Sequence, residues 1–571
     1  MNPGTQPLST SYIVTQTFSR RRAELAQEVL IINGRVVDGT GSPWFKGDVA
    51  ISTGKITRVG KLDPKDYDMV IDADGLVVSP GIIDVHSHSD FSLLVNPEAD
   101  SFIRQGVTTV FNGNCGNSAA PLNEAAREFF EERREISIDW LSTAEYLSKM
   151  ESRGVAINSA TFTGLGNLLV SAMGMEAYDR PPTDEELEQM KGMLKQAMDE
   201  GSYGLSSGLE YDPQTLIDTD ALVELCRVVA EYGGIYATHI RSRDVKVVEA
   251  AKEAVEIGER SGVYVEGVHW GARYPSDGKT KHIVDLFDAA RERGLDVGFN
   301  QVPWTMDEDG VGWCGCGLIE PIIIGSKYIK KGGEFTYEML KDPEIIEYLR
   351  RALPNRQYGP ILAGRRGLLD TWDRFLVAHC ENSPEYNGMN LKQIGQEMGK
   401  DPFDALMDIL VKEGEGFERA WGAVGITSRW DTDFSLLHPN CSVAIDAGND
   451  SPRGPLSEKP VGEITTRAYG QYPYFFEKWV REDRALSLEE AVRKCTGLPA
   501  QRMRVMDRGL IRPGQHADIM IWDPKTIKNN ATWMDPRVYP SGISKVFVNG
   551  VLAVEDNEHT GALKGMVLRA R

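Results

Sequence analysis

Long apolar runs are missing from this 571-residue chain. No stretch approaches the ~20 apolar residues that a membrane span requires. The seven cysteines are scattered and odd in number, which excludes a disulfide framework. Basic charge is in deficit: 63 Lys and Arg stand against 84 Asp and Glu, a net charge of −21. That balance disfavours nucleic acid and anionic membrane surfaces as partners. Low-complexity tracts are absent. The first 28 residues are polar, and no apolar leader core follows Arg20, Arg21 and Arg22. A reducing cytoplasm is the expected setting.

What is present is a soluble globular composition with 41% hydrophobic residues. The length suits a barrel of roughly 250 residues or more with a second domain. Both ends of the chain read as short strands. Leu30-Ile31-Ile32-Asn33-Gly34 is an apolar run closed by a turn signal, and Val546-Phe547-Val548-Asn549-Gly550 repeats it. One small sheet domain built from both ends is the economical arrangement. Between the ends the pattern alternates: helical periodicity over 184–200, 218–232, 245–261 and 283–293, and short apolar strands over 204–209, 235–240, 263–269 and 295–299. Alternation of this kind implies a parallel sheet. The number of repeats favours a closed (β/α)8 TIM-like barrel, although a doubly wound sheet fits the same alternation. The expected organisation is an N-terminal extension over 1–28, a β-sandwich part over 29–79, the α/β barrel over 80–503 and the rest of the sandwich over 504–571. Residues 302–366 break the rhythm and read as a lid inserted over the barrel mouth.

The strongest motif is Pro80-Gly81-Ile82-Ile83-Asp84-Val85-His86-Ser87-His88. Alternate residues of a strand face one side, so His86 and His88 point together at the strand end where barrel enzymes place their sites. Two imidazoles on one face can hold a metal ion. His239 and His269 each end a later strand and project at the same mouth. Asp446 ends the apolar run that starts at Ser442, and a carboxylate there needs a metal, a salt bridge or a helix cap as partner; Asp450 competes for the role. Cys115 follows the strand Val107 to Val110, where a thiolate ligand suits zinc and a buried inert thiol is the plainer reading. Cys314-Gly315-Cys316 is too closely spaced for a structural zinc pair. His282, His379, His438, His516 and His559 carry no expected metal role.

Together these motifs resemble the amidohydrolase superfamily, and more narrowly its N-acyl-D-amino-acid deacylase (D-aminoacylase) family, over most of the chain from about Val29. The most specific pieces are Pro80 to Asp90, Asn112 to Pro121, Ser206 to Tyr211, Thr238 to Ser242 and Leu486 to Arg502. The resemblance implies one metal site of His86, His88 and Asp446, a second of Cys115, His239 and His269 with Cys115 able to bridge, and one or two Zn2+ per chain. It also implies a small-molecule amide substrate, Asp446 as the group that moves the proton, and Tyr211 as a stabiliser of the tetrahedral oxyanion. A homo-oligomer is a separate expectation, since such assemblies are common. Many superfamily members use a carbamylated lysine from the fourth strand. Val155 to Ser171, matched to that strand, contains none.

Departures from the family pattern bear on substrate. The family's lysine two residues after the histidine matched by His269 is Gly271 here, next to Trp270. Gly164-Leu165-Gly166 and Ile464-Thr465-Thr466-Arg467 lack histidines that the family carries. These changes predict a bulkier or less acidic N-acyl amide, with Tyr211, Trp270, Arg273, Trp304 and Arg467 as candidate contacts. Hydrolysis of a cyclic amide, carbamate or lactone on the same barrel is the neighbouring reading. A metal-free scaffold is the reading from another class, and it predicts lost ligands where all six positions hold competent residues.

Overall fold

The computed structural model of the chain describes residues 28–570 apart from 135–136, 304–313, 324–327, 329–334, 353–371, 426, 459–463 and 533–534. The N-terminal extension lies outside the described residues. The chain opens with β1 (Val29–Val36), β2 (Phe45–Ser52), β3 (Lys55–Gly60), β4 (Met69–Asp72) and β5 (Val77–Pro80). Their apolar positions Val29, Ile31, Val49 and Ile51 are buried in one core.

A ring of parallel strands follows. It runs through β6 (Ile82–Asp84), β7 (Val107–Asn112), β8 (Asn158–Thr161) with its continuation β9 (Thr163–Gly164), β10 (Gly204–Gly208), β11 (Ile235–His239), β12 (Tyr264–Gly267) and β13 (Val297–Gln301). After an insertion carrying β14 (Cys314–Gly317), β15 (Phe375–His379) and β16 (Trp421–Val424), the last ring strand is β17 (Cys441–Val443), paired with β13. The ring closes where Asp446 N donates to His86 O at 2.9 Å and His88 N to Ala447 O at 3.0 Å. Helices α1 (Asp184–Asp199), α2 (Thr219–Glu231), α3 (Val247–Ser261) and α4 (Thr280–Glu292) alternate with the strands as their periodicity predicts. α1 starts on a capping box in which Thr183 and Glu186 satisfy each other's backbone N–H groups, and it buries Met190, Leu194 and Ala197.

Ile83, Val85, Phe111, Phe162, Ala237 and Ala444 fill the interior of the ring, and a larger apolar layer separates strands from helices. β18 (Ile519–Trp522) then pairs with β5, and β19 (Ile543–Val548), β20 (Val551–Glu555) and β21 (Glu558–His559) follow it outward, completing a nine-stranded sheet from both chain ends. The final residues leave that sheet, and Ser159 N and Leu568 N tie them to β8.

Two expectations are corrected. Val155 to Ser171 contains the third ring strand, β8 with β9, followed by the start of a helix at Leu165, because β9 pairs with β10 and β8 with β7. The fourth is β10, which also lacks lysine and leads into Glu210 and Tyr211. The insertion reaches well past residue 366. β14, β15 and β16 form an antiparallel sheet with their own core of Leu318, Ile322, Phe375, Leu406 and Leu410. A separate core of this kind needs the later helices, which explains why a short lid is insufficient.

Candidate metal centre

Each expected donor leaves the ring just past a strand, on the same end of the barrel. His239 is the last residue of β11, and the other five lie within a few residues of β6, β7, β12 and β17. Cys115, His269 and Asp446 have φ of 52°, 39° and 54°, a left-handed backbone that non-glycine residues rarely adopt. Three strained donors at one end of the barrel mark a place where packing enforces geometry for a purpose other than stability. Gly208 lets the loops meet: a side chain there would collide with Cys115 O and the Tyr211 ring.

The donor atoms converge. His86 Nε2 lies 3.3 Å from His88 Nε2 and 3.4 Å from both Asp446 Oδ1 and Cys115 Sγ. Cys115 Sγ also lies 3.7 Å from His239 Nδ1 and 3.6 Å from His269 Nε2. His88 Nε2 is 3.2 Å from Asp446 Oδ1. One atom each from His86, Cys115, His269 and Asp446 falls within 4.8 Å of all the others. His88 adjoins this group on the Asp446 side and His239 on the Cys115 side, with the sulfur between them.

The electrostatics suit a cation. Burial lowers the pKa of His86 to about 4 and that of His269 well below the usual range, so both rings are neutral with free lone pairs. His86 Nδ1 and His269 Nδ1 are buried without a hydrogen-bond partner. Burial works against the Asp446 carboxylate, but the Arg467 guanidinium and the His86 and His88 rings outweigh it and hold its carboxyl well below the usual range. Lone pairs facing one another with an ionised carboxylate among them are costly unless a positive ion sits between them.

Supporting groups orient the donors. His239 Nε2 is 2.7 Å from Glu210 Oε2, which leaves Nδ1 to face the sulfur. Glu210 also accepts from Arg243 N at 2.8 Å and Arg273 Nη1 at 3.1 Å. Burial opposes its charge, but Arg273 and His239 outweigh that and hold Glu210 at about 2. Asn300 Oδ1 accepts from His269 N at 2.9 Å, and Asn300 Nδ2 donates to Glu266 at 3.3 Å.

The remaining expected contacts divide. Tyr211 stands edge-on to His239 with ring centroids 4.8 Å apart, and its hydroxyl has no hydrogen-bond partner among the described residues. Arg467 Nη1 donates to Asp446 Oδ2 at 2.9 Å. Arg273 reaches the cluster through Glu210. Trp270 does not reach it: the ring is 1% exposed and packs on Phe287 at 4.2 Å, on the helix side of the strands. Trp304 lies outside the described residues. Glu210, Arg243 and Asn300 had no role in the sequence reading. Glu210 could have been found as a lone carboxylate at the end of a small-residue strand.

A model of the amidohydrolase family matches residues 69–299 and 448–554. The chain belongs to the amidohydrolase family. Among curated relatives this amidohydrolase is similar to the D-aminoacylase of Alcaligenes xylosoxydans xylosoxydans, 29% identical over 549 residues, covering 95% of this chain and 97% of the relative. Among solved structures it is similar to the N-acyl-D-glutamate deacylase of Bordetella bronchiseptica, described in complex with zinc and a phosphonate inhibitor, with a TM-score of 0.75 and 27% identity over 95% of this chain and all of that one (100%). A D-aminoacylase structure concerned with the role of its binuclear metal centre gives a TM-score of 0.73 at 27% identity, again over 95% and 100% of the two chains. The comparisons agree with the barrel and its added small domain, and this amidohydrolase carries a donor set fit for a metal.

Proposed function

We propose that this amidohydrolase hydrolyses a linear amide bond, releasing a carboxylic acid and an amine from an N-acyl compound, with zinc held by His86, His88, Cys115, His239, His269 and Asp446. The convergence of these six donors on one end of the barrel carries the reading. Relatives named D-aminoacylase and N-acyl-D-glutamate deacylase support the choice of bond. Zinc, when bound, polarises an amide carbonyl and acidifies water.

The protein's own groups do the rest. Asp446, ionised and oriented by Arg467 on Oδ2, accepts a proton from the attacking water as the water oxygen bonds to the carbonyl carbon. The same carboxyl returns that proton to the departing nitrogen as the C–N bond breaks. Burial pushes the Tyr211 phenol well above its ordinary range, so it keeps its proton and can donate to the oxyanion. Glu210 holds His239 in the tautomer that points Nδ1 at the cluster.

Elemental analysis of protein purified without added metal tests the centre, paired with Cys115→Ala and His269→Ala. One or two zinc per chain, reduced in the variants, is the expected result. A panel of N-acyl amides of both hands, cyclic amides and lactones then tests the bond. Absence of metal and of metal uptake would overturn the proposal, as would full activity in Asp446→Asn.

A further inference from the structure

Cys115 lies at the middle of the centre, with its sulfur at nearly equal distances of 3.4, 3.7 and 3.6 Å from His86, His239 and His269. Its left-handed backbone continues into Gly116, where φ is 74°. A bend of this kind persists only where the surroundings over-determine it. Gly116 N donates to Ser206 Oγ at 3.0 Å, and Gly116 O accepts from Gly166 N at 2.8 Å. Cys115 O accepts from Asn117 Nδ2 and from Gln214 Nε2, each at 3.2 Å. Asn117 belongs to the same loop and cannot anchor it, whereas Gln214 comes from 99 residues away.

Gln214 is 1% exposed, and its amide faces two loops at once. Nε2 serves the cysteine carbonyl, and Oε1 accepts from Gly208 N at 2.7 Å, at the end of β10. A buried amide with a donor on one loop and an acceptor on another fixes their spacing, because losing either bond leaves a sealed polar group unpaired. The second loop carries Glu210, which orients His239, and Tyr211, whose ring stands against it. One side chain therefore ties the sulfur to the group that aims His239. The first loop is shaped around it: a side chain at Gly116 would overlap the Gln214 amide.

Resting on the metal-centre reading above, we infer that Gln214 is a positioning residue of the centre. Its amide holds the Cys115 backbone so that the sulfur stays between the two sets of donors, in register with the loop of Glu210 and Tyr211. Without that amide the strained bend relaxes and the sulfur moves off the shared position. Gln214 acts through Cys115 and takes no part in the bond changes of the reaction. Nothing in its spacing marks it, since a glutamine six residues past Gly208 reads as an ordinary loop residue.

The test loads wild-type, Gln214→Met and Gln214→Glu proteins with cobalt(II), whose thiolate charge-transfer band reads sulfur coordination directly. Both substitutions keep the size of the side chain; Met removes both bonds and Glu keeps only the acceptor. Both variants should lose band intensity per bound cobalt, and metal affinity in chelator competition should weaken about 10- to 100-fold. Leu410→Ala, in the separate core of the insertion, should lower the melting temperature and leave the band at full strength, which separates positioning from loss of stability. A full band or an unchanged affinity in either variant would overturn the inference and leave the metal centre standing, as would cobalt bound to the wild type without the band. If the wild type takes up no cobalt, the metal-centre reading fails and the thiol itself decides. Brief alkylation with iodoacetamide and peptide mapping should then show Cys115 modified about 5- to 10-fold faster in Gln214→Met than in the wild type. Equal rates would overturn the placement of Cys115 by Gln214.

Discussion

Where the ring strands begin, charge is matched within the protein. Arg508 donates to Asp518, and that carboxylate also accepts from Asn158 Nδ2 at 3.0 Å and Asn549 N at 2.7 Å. Arg502 spans Glu266 at 3.0 Å, Asp296 and the carbonyl of Val265. Where the strands end, neutral imidazoles, a thiol and a carboxylate face one another, and three donors hold a left-handed backbone. Polar groups that find partners inside the protein hold the sheet domain to the barrel. Donor atoms that converge on one another, with Asp446 and His239 held in place by Arg467 and Glu210, lower stability and await something from outside, as at many working sites.

The largest effect should come from Cys115→Gly, which removes a donor and relieves its strained backbone. Activity should fall by about a thousandfold or more, while the chelated protein melts no lower than the chelated wild type. A drop in that melting temperature would show that the mouth is not strained and would break the comparison. At the opposite end, Asp518→Asn leaves the nearly sealed Arg508 charge without its carboxylate. It should cost about 3–5 kcal/mol in denaturant unfolding with metal content unchanged. Equal stability would mean that this end is no anchor.

Glu210→Gln sharpens the contrast, because it touches a donor without being one. Metal affinity should weaken about 10- to 100-fold in competition with a chelator, and an unchanged affinity would remove Glu210 from the support of the centre. The smallest effect belongs to the surface. Arg180, then the Thr183 N–H, hold Glu186 at about 2, below the ordinary 4.5. A carboxyl lowered on folding stabilises the protein above its unfolded pKa and loses that contribution as pH falls from 4.5 toward 2. The stability gap between wild type and Glu186→Gln should therefore shrink over that window. A constant gap would mean that the capping box of α1 works without charge.

Much of the centre was legible because strands impose simple rules. A residue at a strand end faces the barrel mouth, and spacing by two keeps His86 and His88 on one side. Trp270 lies beyond the reach of that rule. β12 ends at Gly267 and His269 takes a left-handed backbone, and after that turn the indole packs on Phe287. A strand-end position therefore did not make Trp270 a contact at the mouth. The extent of the insertion was less legible, since its core joins Leu318 to Leu410 across segments that individually read as ordinary helices and strands.

The sequence by itself determined the alternating elements, favoured the barrel and singled out the candidate donors, because periodicity and strand-end position are local properties of the chain. Only the tertiary structure decided which charges cancel. Asp446 meets His86 and His88 across 360 and 358 residues, and its Arg467 partner comes from another element. Glu210 is satisfied by His239 and Arg273, and Arg241 pairs with Glu253. Pairing of charges depends on distance in space, and distance in space is what the linear order of residues does not contain.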